Sequence, residues 1–411
     1  MSSETGSSAL LQQRFFVLFW CARLASTSGY QMLALVIGWQ VYALTGSALD
    51  LGLVGLIQFV PAVVFTLLIG HAADRYDRRT IVRTAQAIYA IAAVAITLAL
   101  IAQALTRELL FAAVFCIGCA RAFEMPTAHS VVPSLVPARV LARAVAAWAS
   151  ANQVAVICAP ALGGLLYTLS PTLVTALCAF LFLCSIALVT LVRVERPLEK
   201  RDPPTLASAL AGFSFIRHNE RLLGVITLDL FVVLLGGATA LLPIYAKDIL
   251  QAGPIGLGLL RSSPAIGALL TTIWMSHQPI ERHIGPAMFL AVTVYGIATV
   301  TFGLSTSLPL SMAALALLGA SDAVSVVIRF SLVQIETPDE KRGRVSAVNY
   351  LFVGSSNTLG EFESGAVAAW LGPVASVLIG GIGSLAIAGF WMLFFPSLRR
   401  IDRFKPADRE S

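Results

Sequence analysis

Apolar residues along this chain come in long unbroken blocks, not in the alternation that marks a half-buried strand. Twelve such blocks stand out, at 14–43, 49–71, 81–104, 109–133, 141–168, 172–194, 221–250, 254–277, 285–305, 309–335, 345–370 and 373–396. A helix of about 20 apolar residues crosses the ~30 Å hydrocarbon core of a bilayer, so each block reads as a membrane span. Short clusters of Gly, Ser and Pro separate several of them: Thr45-Gly46-Ser47, Leu169-Ser170-Pro171, Ala252-Gly253-Pro254 and Leu371-Gly372-Pro373. Such clusters are turn signals, and they leave no room for an external domain. The expected fold is therefore an all-α membrane protein with twelve transmembrane helices.

Charge orients the spans. Of 28 Lys and Arg residues, Arg107 in an odd-numbered connection and Lys247 at the outer end of the seventh block are the two on the outer side. Basic residues are retained in the cytoplasm, so both termini are expected there, in the inner membrane of a bacterium. Composition agrees: 57% of residues are hydrophobic and 12% charged. Soluble domains carry about 25% charged residues, which excludes a soluble domain of any size. The net charge of +6 sits at span ends, where headgroups account for it, so nucleic acid is not an expected partner. All six cysteines fall within spans and read as free thiols. The chain shows no metal or cofactor motif, no nucleophile elbow and no phosphate-cradling loop, so an enzyme is not expected.

The two halves resemble each other. A shift of 201 residues superimposes Gly118 on Gly319, Pro137 on Pro338, Arg143 on Arg344, Ala146 on Ala347 and Gly164 on Gly365. This implies a duplicated six-helix bundle: residues 1–194 and 221–398, joined by a cytoplasmic linker at 195–220 and followed by a tail at 399–411. The second part of the linker, Leu206 to Arg217, is expected to form a short amphipathic helix on the inner membrane face. Parallel repeats of this kind place a substrate site between halves near the midplane.

Three motifs carry a family resemblance. Gly70-His71-Ala72-Ala73-Asp74-Arg75-Tyr76-Asp77-Arg78-Arg79, between the second and third spans, resembles the signature loop of the major facilitator superfamily. Gly70 permits close helix approach, Asp74 suits a helix N-terminus, and Arg75, Arg78 and Arg79 suit acidic partners, which together imply a gating latch. Asp77 stands where the family usually has Gly. Ala159-Pro160-Ala161-Leu162-Gly163-Gly164 is similar to the antiporter motif of the superfamily, with Pro160, Gly163 and Gly164 making a kinked, close-packed helix. Leu257 to Pro264, Arg121 to Pro126 and Asp74 to Arg79 look like the branch containing siderophore and drug exporters. The resemblance implies secondary export of a small amphiphilic molecule by alternating access, coupled to protons and carried out by a monomer. An importer of a metabolite, or a lysophospholipid transporter of the same fold, is the alternative.

Ionisable residues inside spans cost at least ~2.5–3.5 kcal/mol each to insert, so each is a functional candidate. Glu124, Asp229, Asp322 and Glu361 are the candidate proton carriers. Arg23, Gln31, Arg121, Asn152, Arg329, Asn349, Asn357 and Glu363 are the candidate cavity or substrate residues. Arg121 and Glu124, three apart, share a helix face and can pair. Asp322 and Arg329, seven apart, are too distant to touch. Asp322 is the repeat counterpart of Arg121, so opposite charges occupy related positions in the two halves.

Overall fold

The structure, a computed structural model, describes residues 13–65, 76–193 and 213–404. Every regular element among these residues is helical. The long helices are α1 (Arg14–Thr45), α2 (Ala48–Val64), α3 (Arg78–Ile101), α4 (Arg107–Leu135), α5 (Leu141–Leu169) and α6 (Pro171–Leu191). They continue with α7 (Glu220–Leu235), α8 (Gly253–His277), α9 (Ile284–Leu304), α10 (Leu308–Glu336), α11 (Asp339–Leu371) and α12 (Pro373–Phe394). Eight spans among the described residues are long and apolar enough to cross a membrane. One of them runs from Glu220 to Ile249, because α7 continues through a 3-10 segment and a π turn.

Local chemistry sets the helix ends. Asp77, Thr106 and Asn219 cap α3, α4 and α7 by accepting backbone N–H groups that the first turn leaves unpaired. Pro171 and Pro373 open α6 and α12, where the missing N–H costs nothing. The turn glycines Gly46, Gly253 and Gly372 have φ of 63°, 61° and 88°, a region that disfavours any side chain.

The chain forms two compact units, residues 1–45 with 57–203, and 46–56 with 204–411. In the first, α1 packs on α5 and α6, and α3 packs on α4 and α6. The second repeats that scheme six helices later: α7 packs on α11 and α12, and α9 on α10 and α12. The equivalence reaches single residues. A Cβ on Gly118 would lie 3.0 Å from Gln58 of α2, and one on Gly319 would run into the Pro264 carbonyl of α8. These glycines, matched in sequence, bring the fourth helix of each unit against the second.

Apolar clusters close one end of each unit. Phe16, Phe19, Val132, Leu135, Trp148 and Val189 belong to the first cluster. Ile216, Leu222, Ile226, Val333 and Val345 belong to the second. Residues 213–218 are helical, whereas most of the expected linker helix lies outside the described residues.

Candidate functional site

Each unit carries a cluster of charged side chains buried between its helices, and the clusters occupy equivalent positions. Arg23 lies nine residues into α1, and Asp229 nine residues into α7. Tyr89 and Tyr295 each lie eleven residues into α3 and α9. Arg121 and Asp322 each lie fourteen residues into α4 and α10. The duplication has kept the places and reversed the charges.

In the first unit, Glu124 is 4% exposed and accepts hydrogen bonds from three neutral donors. Tyr89 donates at 2.8 Å, Ser26 at 3.3 Å and Gln86 at 3.4 Å. Arg23 donates from Nη2 to the Asn152 Oδ1 at 2.9 Å and to the Met125 sulfur at 3.6 Å. Its guanidinium also lies 5.4 Å from the Trp148 ring centre. Arg121 sits over the Tyr30 ring at 4.1 Å, a cation–π distance. A cavity of about 110 Å³ opens among these groups, with Arg23, Gln31, Arg121, Glu124 and Asn152 in its wall.

In the second unit Asp229 is ion-paired with Arg329, and the side chains are only 7% and 4% exposed. Asp322 makes no hydrogen bond or ion pair among the described residues, and is partly buried. It shares with Asp229, Tyr295, Ser321 and Ser325 a cavity of about 10 Å³, room for no more than one water. The Tyr295 hydroxyl donates to the Gly236 carbonyl at 3.4 Å, beside the point where α7 gives way to the 3-10 segment.

The other candidates are placed as follows. Glu361 is half-buried on α11, and a Cβ on Gly55 would come within 2.9 Å of its Oε2. Glu363, also half-buried, accepts from Ser364 at 3.4 Å. Asn349 is 1% exposed with its Oδ1 unpartnered. Asn357 is exposed and returns its amide to the Val353 carbonyl of its own helix at 2.8 Å. Pro160, Gly163 and Gly164 are buried in a helix that runs on past the proline, with Gly163 facing Met32 of α1.

Of the gating motif, Gly70, Asp74 and Arg75 lie outside the described residues. Arg78 donates to the Ser130 carbonyl at 3.3 Å, and Arg79 to the Val192 carbonyl at 2.7 Å. Arg79 also pairs with Asp77 at 2.7 Å, which holds the Asp77 carboxyl below the usual carboxylate range. Asp77 thus serves as an N-cap as well as an added charge.

Sequence reasoning missed Ser26, Gln86 and Tyr89 around Glu124, and Tyr295 beside Asp322. The matching registers of Tyr89 and Tyr295 in their helices were the available signal.

Two duplicated helical units with buried, repeat-related charges define a polytopic membrane transporter. The profile described as the Major Facilitator Superfamily matches residues 19–361, and the chain belongs to that family. The enterobactin exporter EntS of Escherichia coli O1:K1 is 24% identical over 393 residues, covering 94% of this chain and 92% of EntS. The EntS of Escherichia coli O139:H28 is 25% identical over 391 residues, with the same coverage of both chains. Among solved structures, the nucleoside transporter NupG (D323A mutant) matches with TM-score 0.76 at 13% identity, over 93% of this chain and 100% of that one. A bacterial homologue of the iron transporter ferroportin, in its inward-facing state, matches with TM-score 0.73 at 17% identity, over 95% and 100%. At such identities these structures establish the fold alone.

Proposed function

We propose that this protein is a proton-driven exporter in the cytoplasmic membrane of a bacterium, with both termini in the cytoplasm. Its cargo is a small amphiphilic molecule of the siderophore or drug-like kind, moved by alternating access between bundles at 1–194 and 221–398. The likeness to enterobactin exporters along 94% of the chain supports the direction and the kind of cargo.

One observation carries the coupling. Of the two carboxylates lining the second unit's cavity, Asp229 is tied to Arg329, whereas Asp322 has no hydrogen bond or ion pair among the described residues. An ionisable carboxylate at bilayer depth is a functional candidate, and exchange of a proton is a chemistry open to it. The cavity beside it admits a water and little more, so it suits a proton and not a substrate. Asp322 is therefore the proton carrier in preference to Glu124 and Asp229. Glu124, held by three donors, and Asp229, held by a cation, are anchored. Asp322 takes a proton from the outside and yields it to the cytoplasm in exchange for outward movement of cargo.

Inside-out vesicles test this reading, with enterobactin as the probe. Acidifying the lumen should drive enterobactin inward, and a protonophore should abolish that accumulation. Uptake indifferent to the pH gradient would overturn the coupling. Movement in the reverse direction would instead favour an importer.

A further inference from the structure

We infer that Tyr295 is the positioning residue for proton exchange at Asp322: its hydroxyl rests on the Gly236 carbonyl while Asp322 is protonated, and donates to the Asp322 carboxylate once the proton has left. This deepens the proton-coupling reading and rests on it for the role of Asp322.

The two units, set side by side, supply the first argument. Tyr89 and Tyr295 hold the same register in α3 and α9. Tyr89 gives its hydroxyl to a carboxylate of the fourth helix, Glu124, at 2.8 Å. The 201-residue shift puts Ser325 where Glu124 stands, so the acceptor that Tyr89 uses is missing from the second unit. Asp322 lies about one turn earlier on the same helix and lines one small cavity with Tyr295 and Ser325.

The present bond of Tyr295 is a weak one. Hydrogen bonds between a hydroxyl and an oxygen span about 2.5–3.0 Å, and Tyr295 donates to the Gly236 carbonyl at 3.4 Å. That carbonyl also accepts the Ala238 N–H at 2.8 Å, so it stays satisfied when the hydroxyl leaves. An ionised carboxylate is the stronger acceptor, because charge-assisted bonds are about twice as strong as neutral ones. A protonated carboxyl brings a donor of its own and competes less for the hydroxyl. The charge on Asp322 therefore decides where the hydroxyl goes.

Gly236 makes the resting place possible. A Cβ there would run into the Tyr295 hydroxyl. Tyr30 occupies the equivalent place of α1, sixteen residues on from Arg14 as Gly236 is from Glu220, and its ring lies 6.4 Å from that of Tyr89. Gly236 is also where α7 gives way to the 3-10 segment. The backbones of α11 and α12 close on that break: a Cβ on Gly237 would run into the Gly360 carbonyl, and one on Gly380 into the Leu235 carbonyl. Close-packed interiors transmit strain, so departure of the hydroxyl is felt by both helices.

The helices α7, α8, α9 and α11 pack on α10. Around Asp322 they bring Tyr295 from α9 and Asp229 from α7, the latter paired with Arg329 of α10 itself. On α8, Arg261 is set level with Asp322 by the Pro264–Gly319 and Gly267–Ala316 contacts. Neither Arg261 nor Glu361 and Glu363 of α11 lines the cavity, which leaves Tyr295 as the neutral donor that shares it with Asp322 from another helix.

The test uses the purified full chain and pH-difference infrared spectra. The readout is the C=O stretch of the protonated Asp322 carboxyl, assigned by its loss in Asp322→Asn. A donor to the ionised form favours that form, so Tyr295→Phe should move the midpoint of this titration upward by about one pH unit. Gly236→Ala puts a methyl group where the hydroxyl now rests and should move the midpoint downward by about as much. The two variants have opposite signs, so the proposal stays open to refutation if one of them fails to fold. Tyr245, which donates to the Gly303 carbonyl at 3.1 Å, supplies the control: Tyr245→Phe should leave the midpoint in place. A midpoint unmoved by Tyr295→Phe and by Gly236→Ala, or moved equally by Tyr245→Phe, overturns the inference. Enterobactin accumulation in vesicles of the same preparation keeps the two readings apart. Accumulation driven by a pH gradient with an unmoved midpoint would sink this inference alone; the two opposite shifts without accumulation would sink the export reading alone.

Discussion

The Asp229–Arg329 pair gives a prediction that separates structural charges from working ones. Both side chains are at least nine-tenths buried, so neither charge finds water if its partner is lost. Breaking such a pair from one side costs about 3–5 kcal/mol, whereas replacing both members with apolar groups is often neutral or stabilising. Arg329 already has its Nε unpartnered, so the pair is imperfectly satisfied and its joint removal should cost little. Arg329→Met and Asp229→Leu should each destabilise the purified protein by about 3 kcal/mol, and the double variant should return to within about 1 kcal/mol of the parent. The assay is equilibrium unfolding by SDS titration in mixed micelles, followed by circular dichroism. Additive losses in the double variant would refute the reasoning, because the two charges would then not be each other's main partner.

Other consequences follow from the same geometry. Gly319→Ala would place a methyl group against the Pro264 backbone, which cannot rotate away, and should cost about 1–3 kcal/mol in the same titration. Gly343→Ala, with open space around it inside α11, should instead stabilise by about 0.5–1 kcal/mol. Asp77→Ala removes the cap of α3 and should cost about 1 kcal/mol at neutral pH. Because Arg79 lowers the Asp77 pKa, the contribution of that carboxylate is fully present above the unfolded value near ~3.9 and is lost as pH falls from there through the lower folded-state value. The difference between parent and variant should therefore shrink in acid, and high salt should reduce it too.

Much of this architecture is legible in the sequence because lipid imposes simple rules. Long apolar blocks, turn glycines and the position of basic residues need no knowledge of packing. The match of Gly118 with Gly319 found a true structural equivalence because small residues are where helices meet. Charged candidates stood out against apolar blocks for the same reason, and Arg23, Arg121, Glu124, Asp229, Asp322 and Arg329 all belong to the two clusters.

Partnership was not legible. Glu124 accepts from donors on α1 and α3, two helices that the periodicity of its own helix does not point to. Asp322 and Arg329 share a helix, but the cation faces Asp229, one hundred residues earlier in the chain. Helical periodicity says which residues share a face and nothing about which helix that face meets. For the tyrosines beside the charges the matching register was the sole signal, since Tyr by itself is equally common as packing or at the membrane interface.

The central claim, that Asp322 couples cargo to protons, is tested most directly in proteoliposomes whose sole energy source is a pH gradient. Parent protein should accumulate enterobactin above equilibrium, and Asp322→Asn should still exchange labelled for unlabelled enterobactin but fail to accumulate it. Accumulation by Asp322→Asn equal to that of the parent would contradict the account.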